Sequence, residues 1–86
     1  MEDAKKIMDA VREFGTEMRD RMFEKKTAGY TGWDGEGPKA IKELECVQRI
    51  KSIMFREPMT ARDWIDVANF AMMGWWIKRT MTRGAE

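Results

Sequence analysis

The sequence predicts an all-α protein of three helices. Three observations carry that prediction. Apolar residues recur at three- and four-residue steps along three separate stretches. No stretch alternates apolar and polar residues as a half-buried strand does. The helix breakers gather at two places: residues 27–38, with four of the seven glycines and one of the two prolines, and the neighbourhood of Pro58.

The first helix is expected over about residues 2–24. Ile7, Met8, Val11, Phe14, Met18 and Met22 mark one face. Glu2 and Asp3 stand at the positive end of its dipole, and Lys25 and Lys26 near the negative end. Residues 27–38 read TAGYTGWDGEGP, without periodicity, and are expected to form a loop. Loops of this length between helices often carry function. Tyr30 and Trp33 sit inside it, placed either to stack on a ligand or to fold back as anchors.

The second helix is expected over 38–55, with Pro38 in its first turn. Pro58 ends it, and Glu57 before the proline is pushed out of helical geometry. Ala40, Leu44, Val47 and Met54 define its apolar face, with Ile50 at the edge, Glu43 on the inner side and Glu45 outside. The third helix is expected over 60–81. Thr60 caps it, Asp63 closes a capping box three residues on, and Arg83-Gly84 marks the stop. Lys78 and Arg79 lie where the dipole favours cations. The short connection makes the last two helices an antiparallel hairpin.

The third helix carries the most information. At 100° per residue, Phe70, Met73 and Ile77 fall within about 40° of Asp66, on one core-facing stripe. Asp63 and Asn69 flank it. Trp64, Ala68, Ala71 and Trp75 make the opposite side apolar as well. A helix apolar all round must be buried all round, which two short partners cannot achieve. A homo-oligomer is therefore expected, a dimer built around this helix that completes the bundle.

Eighty-six residues make a single domain, 1–86, small enough to be marginal alone. There is no histidine, and Cys46 is the one cysteine, so neither a disulfide nor a tetrahedral zinc site can form within one chain. Mg²⁺ or Mn²⁺, which accept carboxylates and water, remain open. Sixteen basic residues against fifteen acidic ones weigh against nucleic acid as a partner. Residues 65–77 form the longest apolar run, interrupted by Asp66 and Asn69 and short of the roughly 20 residues a membrane span needs. The amphipathic, charged N-terminus is not a signal peptide, and a reducing, cytoplasmic setting is expected. Nine methionines and four tryptophans suit either a helical core or a Met-rich binding face.

Carboxylates on a core-facing stripe must be protonated, paired or bound to a cation. Arg49, Lys51, Arg56 and Arg62 are candidate partners, and Asp63 can serve as a cap alone. A divalent-metal site needs acids from two facing helices, and Glu43 is the candidate on the second.

The run Asp66-Val-Ala-Asn-Phe-Ala-Met-Met73, preceded by Asp63, resembles the second acidic motif of MazG-type all-α nucleoside triphosphate pyrophosphohydrolases, especially small phage-encoded members. Residues 22–33, ending in Gly32-Trp33, resemble the start of those proteins. The resemblance implies a dimer, or a dimer of dimers. It implies Mg²⁺ held by acids of two helices, and cleavage of a nucleoside triphosphate between its α and β phosphates to a monophosphate and pyrophosphate. Asp66 matches the motif's Asp, Asp63 stands where Glu is usual, and Asn69 follows as in the family. Glu43 matches the second Glu of the first motif. Lys42 and Cys46 stand where its other two acids belong, so that motif is degenerate.

Two functions follow as expectations. One is a Mg²⁺-dependent pyrophosphohydrolase. Glu43 and Asp66 would be its catalytic residues, Glu43, Asp63 and Asp66 its metal ligands, and Lys25, Lys26, Trp33, Lys42 and Asn69 its substrate contacts. The other is a non-catalytic, phage-type helical interaction protein that binds a protein partner through its Met- and Trp-rich surface.

Overall fold

A computed structural model describes residues 2–85. It is all-helical, with no strand among the described residues. The helices are α1 (Glu2–Thr27), α2 (Glu43–Met54) and α3 (Ala61–Ala85). None is long and apolar enough to cross a membrane.

α1 has the expected acidic first turn and basic last turn. It ends in a Schellman arrangement. Gly29 adopts φ 96°, the Tyr30 N–H donates to the Lys25 carbonyl at 2.9 Å, and the Gly29 N–H donates to the Lys26 carbonyl at 3.0 Å.

α2 begins at Glu43, five residues later than the sequence suggested. Pro38 lies in a turn closed by the Ala40 N–H on the Gly37 carbonyl. The chain then runs extended through Lys42, at φ −102° and ψ 154°. Proline permits a helix start but does not impose one. Here the competing interaction is tertiary: Ile41 is buried in the core and donates its N–H to the Gly32 carbonyl at 2.9 Å.

The late start accompanies a different face. α2 buries Cys46 and Ile53, with Ile50 half-buried, while Leu44, Val47 and Met54 stay exposed, and Ala40 precedes the helix. Both stripes of α2 are apolar, so periodicity alone could not choose between them. α3 chooses: Cys46, Ile50 and Ile53 pack against the cluster that Phe70, Met73 and Ile77 form on it.

α3 opens as expected and runs past residue 81 to Ala85. A glycine near the end of a helix allows a stop without enforcing one. α2 and α3 are antiparallel, with Arg56 meeting Asp63 at one end and Glu43 meeting Lys78 at the other. α1 is also antiparallel to α3, as the pairs Met18–Asn69, Arg21–Asp66 and Glu24–Arg62 show. Both helices pack on α3 and not on each other. The core is built from Ile41, Cys46, Ile53, Phe70, Met73 and Ile77, so the predicted stripe Phe70–Met73–Ile77 does face inward.

The loop between α1 and α2 is ordered against this core. Trp33 packs on Trp76 with ring centroids 5.8 Å apart, and a Cβ at Gly35 would touch Ile77. Gly32, at φ 80°, is pressed against the backbone of Lys39 and Ala40, where a Cβ would come within 2.4 Å of a carbonyl oxygen. No other residue type fits there.

Candidate functional site

Asp63 is buried at the start of α3. Its Oδ2 accepts the Thr60 N–H at 2.9 Å, and its own N–H donates to the Thr60 Oγ1 at 3.1 Å, the reciprocal pair of a capping box. The Arg56 Nη1 donates to its Oδ1 at 2.8 Å. The Thr60 backbone N–H, with the Thr60 hydroxyl and Arg56 assisting, holds the carboxyl below its ordinary value. Every oxygen of Asp63 thus has a donor from its own chain.

Asp66 sits one turn further on, half-buried between α3 and α1. Arg21 donates its Nε to the Asp66 Oδ1 at 2.9 Å, and the Lys25 ammonium stands 3.9 Å from the same oxygen. The carboxylate raises the Arg21 pKa further, chiefly through that hydrogen bond. Burial lowers the Lys25 pKa against the opposing pull of Asp66. Lys25 also lies over the Phe70 ring at 4.6 Å, so its stem and charge are absorbed into the interface. Arg21 binds Glu24 at 2.9 Å, and Glu24 binds Arg62 at 2.8 Å, which continues an ion-pair chain across the two helices.

Asn69 is fully buried and donates its Nδ2 to the Met18 carbonyl at 3.2 Å. Its Oδ1 is buried without a hydrogen-bond partner. The amide ties α3 to the backbone of α1 and does not face solvent.

Glu43 is elsewhere. It opens α2 beside Lys78, at 3.5 Å. From Lys78 to Asp66 is twelve residues of α3, roughly 18 Å at 1.5 Å per residue. A Mg²⁺ ion with ligands at about 2.1 Å cannot join these acids within one chain. Among the described residues, no three Asp, Glu, Cys or His side chains gather to hold a metal ion. Glu43 would have to come from a second chain to reach Asp66. Lys42 caps α2 with its backbone and is exposed.

The remaining substrate candidates separate likewise. Trp33 is an anchor on Trp76. It also lines, with Met22, Phe23, Lys26, Tyr30 and Met72, a mostly apolar open cavity of ≈ 420 Å³ between α1, the loop and α3. Lys26 is exposed at this cavity, whereas Lys25 points to Asp66.

The partner of Asp66 is thus Arg21 of α1, not one of the bases Arg49, Lys51, Arg56 or Arg62 expected from the sequence. A signal was present: Arg21 and Lys25 follow Met18 at three- and four-residue steps, on the side of α1 that packs inward.

No protein-family model, curated protein or solved structure matches this chain.

Proposed function

We propose that this chain is a helical protein-association module rather than a catalyst. The observation that carries the reading is the distribution of its apolar side chains. Among the described residues, seven hydrophobic side chains are buried and twelve large ones are exposed, including Trp64, Trp75 and Phe55 at 90%. Monomeric proteins expose single apolar residues freely, but large contiguous apolar surface marks an interaction site. α3 is apolar on its outer side as well as its inner one, and among the described residues no other element covers Trp64, Ala71 or Trp75, although Arg79 of the same helix lies over the Trp75 ring at 5.3 Å. Aromatic residues and methionine are the types that interfaces enrich.

The carboxylates support the same reading. Asp63 serves the helix cap, Asp66 the junction of α1 with α3, and Glu43 an exposed pair with Lys78. A pyrophosphohydrolase of the MazG type would need Asp66 released from Arg21 and Glu43 delivered by a partner chain.

The test runs two measurements on the same preparation. Pyrophosphate release is followed from a panel of deoxynucleoside and ribonucleoside triphosphates with Mg²⁺ or Mn²⁺, and melting temperature is followed with and without the metals. The expected result is no turnover and no metal-dependent stabilisation. Turnover that disappears in Asp66→Asn overturns the reading in favour of the enzyme.

A further inference from the structure

The first half of α1 has no partner among the described residues. Its polar contacts with α3 begin at Met18, and α1 buries no residue. The physical reason lies in the loop. Tyr30 and Trp33 occupy the surface of α3 around Met73 and Trp76, where an antiparallel α1 would otherwise continue. α1 therefore leaves the bundle as an arm.

That arm is not polar. Ala4, Ile7, Val11, Phe14 and Met18 follow one another at steps of three, four, three and four. These are the steps of a seam that pairs with another helix, with Met8 at its edge. Ile7 is 63% exposed, Met8 70% and Val11 67%. Gly15 stands beside the seam in mid-helix, and nothing beyond its own helix backbone lies within 4 Å of where its Cβ would be. A glycine there weakens the helix and fills no need of the folded monomer. With Ala10 it gives a second backbone room to approach.

We infer that two copies of this chain pair through their α1 arms, antiparallel, with the seam Ala4–Ile7–Val11–Phe14 self-complementary about residue 9. In that register Phe14 faces the partner's Ala4, and Ile7 faces the partner's Val11. Each layer then sets a large residue against a smaller one, so the seam fills evenly. A parallel pairing would stack Phe14 on Phe14 and Ala4 on Ala4. The area sets the strength of the pairing. Ile7, Met8, Val11 and Phe14 expose roughly 400 Å² of apolar surface per chain, or roughly 800 Å² for a pair. That lies below the roughly 1,200 Å² at which standard-size interfaces begin, so the pairing is a weak, concentration-dependent one. This inference rests on the association reading above and names the occupant of one face.

The test is sedimentation of the full chain from micromolar to millimolar concentration, for the unmodified protein, Val11→Glu/Phe14→Glu and Trp75→Glu. The arm substitutions fall on exposed positions, so helix content by circular dichroism and melting of the dilute protein stay unchanged. The expected result is a concentration-dependent dimer whose dissociation constant rises at least 100-fold in the arm variant and less than threefold in Trp75→Glu. A monomer at every concentration, an arm variant that dimerises like the parent, or a dimer lost in Trp75→Glu overturns the inference. None of these results changes the nucleotide assay, so the two readings fail separately.

A short bifunctional thiol reagent checks the register. Met8→Cys is expected to cross-link. Glu17→Cys is not, because its copies lie roughly 24 Å apart along an antiparallel pair at 1.5 Å per residue. Efficient cross-linking of Glu17→Cys overturns the antiparallel arrangement.

Discussion

Asp66 decides between structure and chemistry in this protein, and its bond to Arg21 can be weighed. The Asp66 side chain is 15% exposed and that of Arg21 21%, with Nε and Oδ1 2.9 Å apart. An exposed ion pair contributes about 0.2–1 kcal/mol, whereas breaking a fully buried one costs about 3–5 kcal/mol. A pair shielded to this degree lies between, and loss of either partner should cost about 1.5 kcal/mol. At about 4–8 °C per kcal/mol for a domain of this size, the melting temperature falls by roughly 6–12 °C. Arg21 also holds Glu24, so a single substitution mixes two interactions. A double-mutant cycle separates them: the unmodified protein, Asp66→Asn, Arg21→Met and the double variant, unfolded in urea at neutral pH. The expected coupling is about 1 kcal/mol, well above the additivity limit of roughly 0.3–0.5 kcal/mol. It should persist at high salt, because partly buried pairs are screened weakly. A coupling below about 0.3 kcal/mol would refute the reasoning. So would an Asp66→Asn protein more stable than its parent, which would mark a carboxylate held under strain for some other use.

Two further predictions concern the loop and the cap. Gly32→Ala meets both a positive φ and the Lys39 carbonyl, so it should cost at least about 1–3 kcal/mol in strain. Because Trp33 follows it, tryptophan fluorescence should shift toward that of exposed indole; an unchanged spectrum and melting temperature would contradict the packing described. Asp63 has its folded pKa depressed below 3.8. Its contribution is therefore fully present above its unfolded value and is lost as the pH falls through the lower folded one. Thermal melts from pH 6 to pH 2 should show a steeper loss of stability on acidification in the parent than in Asp63→Asn, and equal slopes would remove the cap from the account.

Much of the local structure was legible in the residues. The capping box of Thr60 and Asp63, the break at 27–38 and the inward stripe Phe70–Met73–Ile77 each depend on residues within a turn or two of one another. Helix-cap geometry and amphipathic spacing are short-range effects, so a sequence displays them directly. The candidate site was legible only in part. That Asp63 and Asp66 needed partners followed from their position on the stripe, and Arg56 was among the bases considered for them. That Arg21 would reach Asp66 across 45 positions did not follow, because it depends on how α1 crosses α3.

The sequence by itself determined three helices, the two regions that separate them, and the inward stripe Phe70–Met73–Ile77 of α3, because those features arise from backbone sterics and spacing along a single helix. Only the tertiary structure decided where α2 starts, which of its two apolar stripes faces inward, and which cations answer Asp66. It also decided that Glu43 stands at the far end of the hairpin from Asp63. Those outcomes turn on contacts between distant segments: Ile41 entering the core, Cys46 and Ile53 packing on the inward stripe of α3, and the loop standing where α1 would have continued. Such contacts compete with local preference, and here the burial they bring outweighs it.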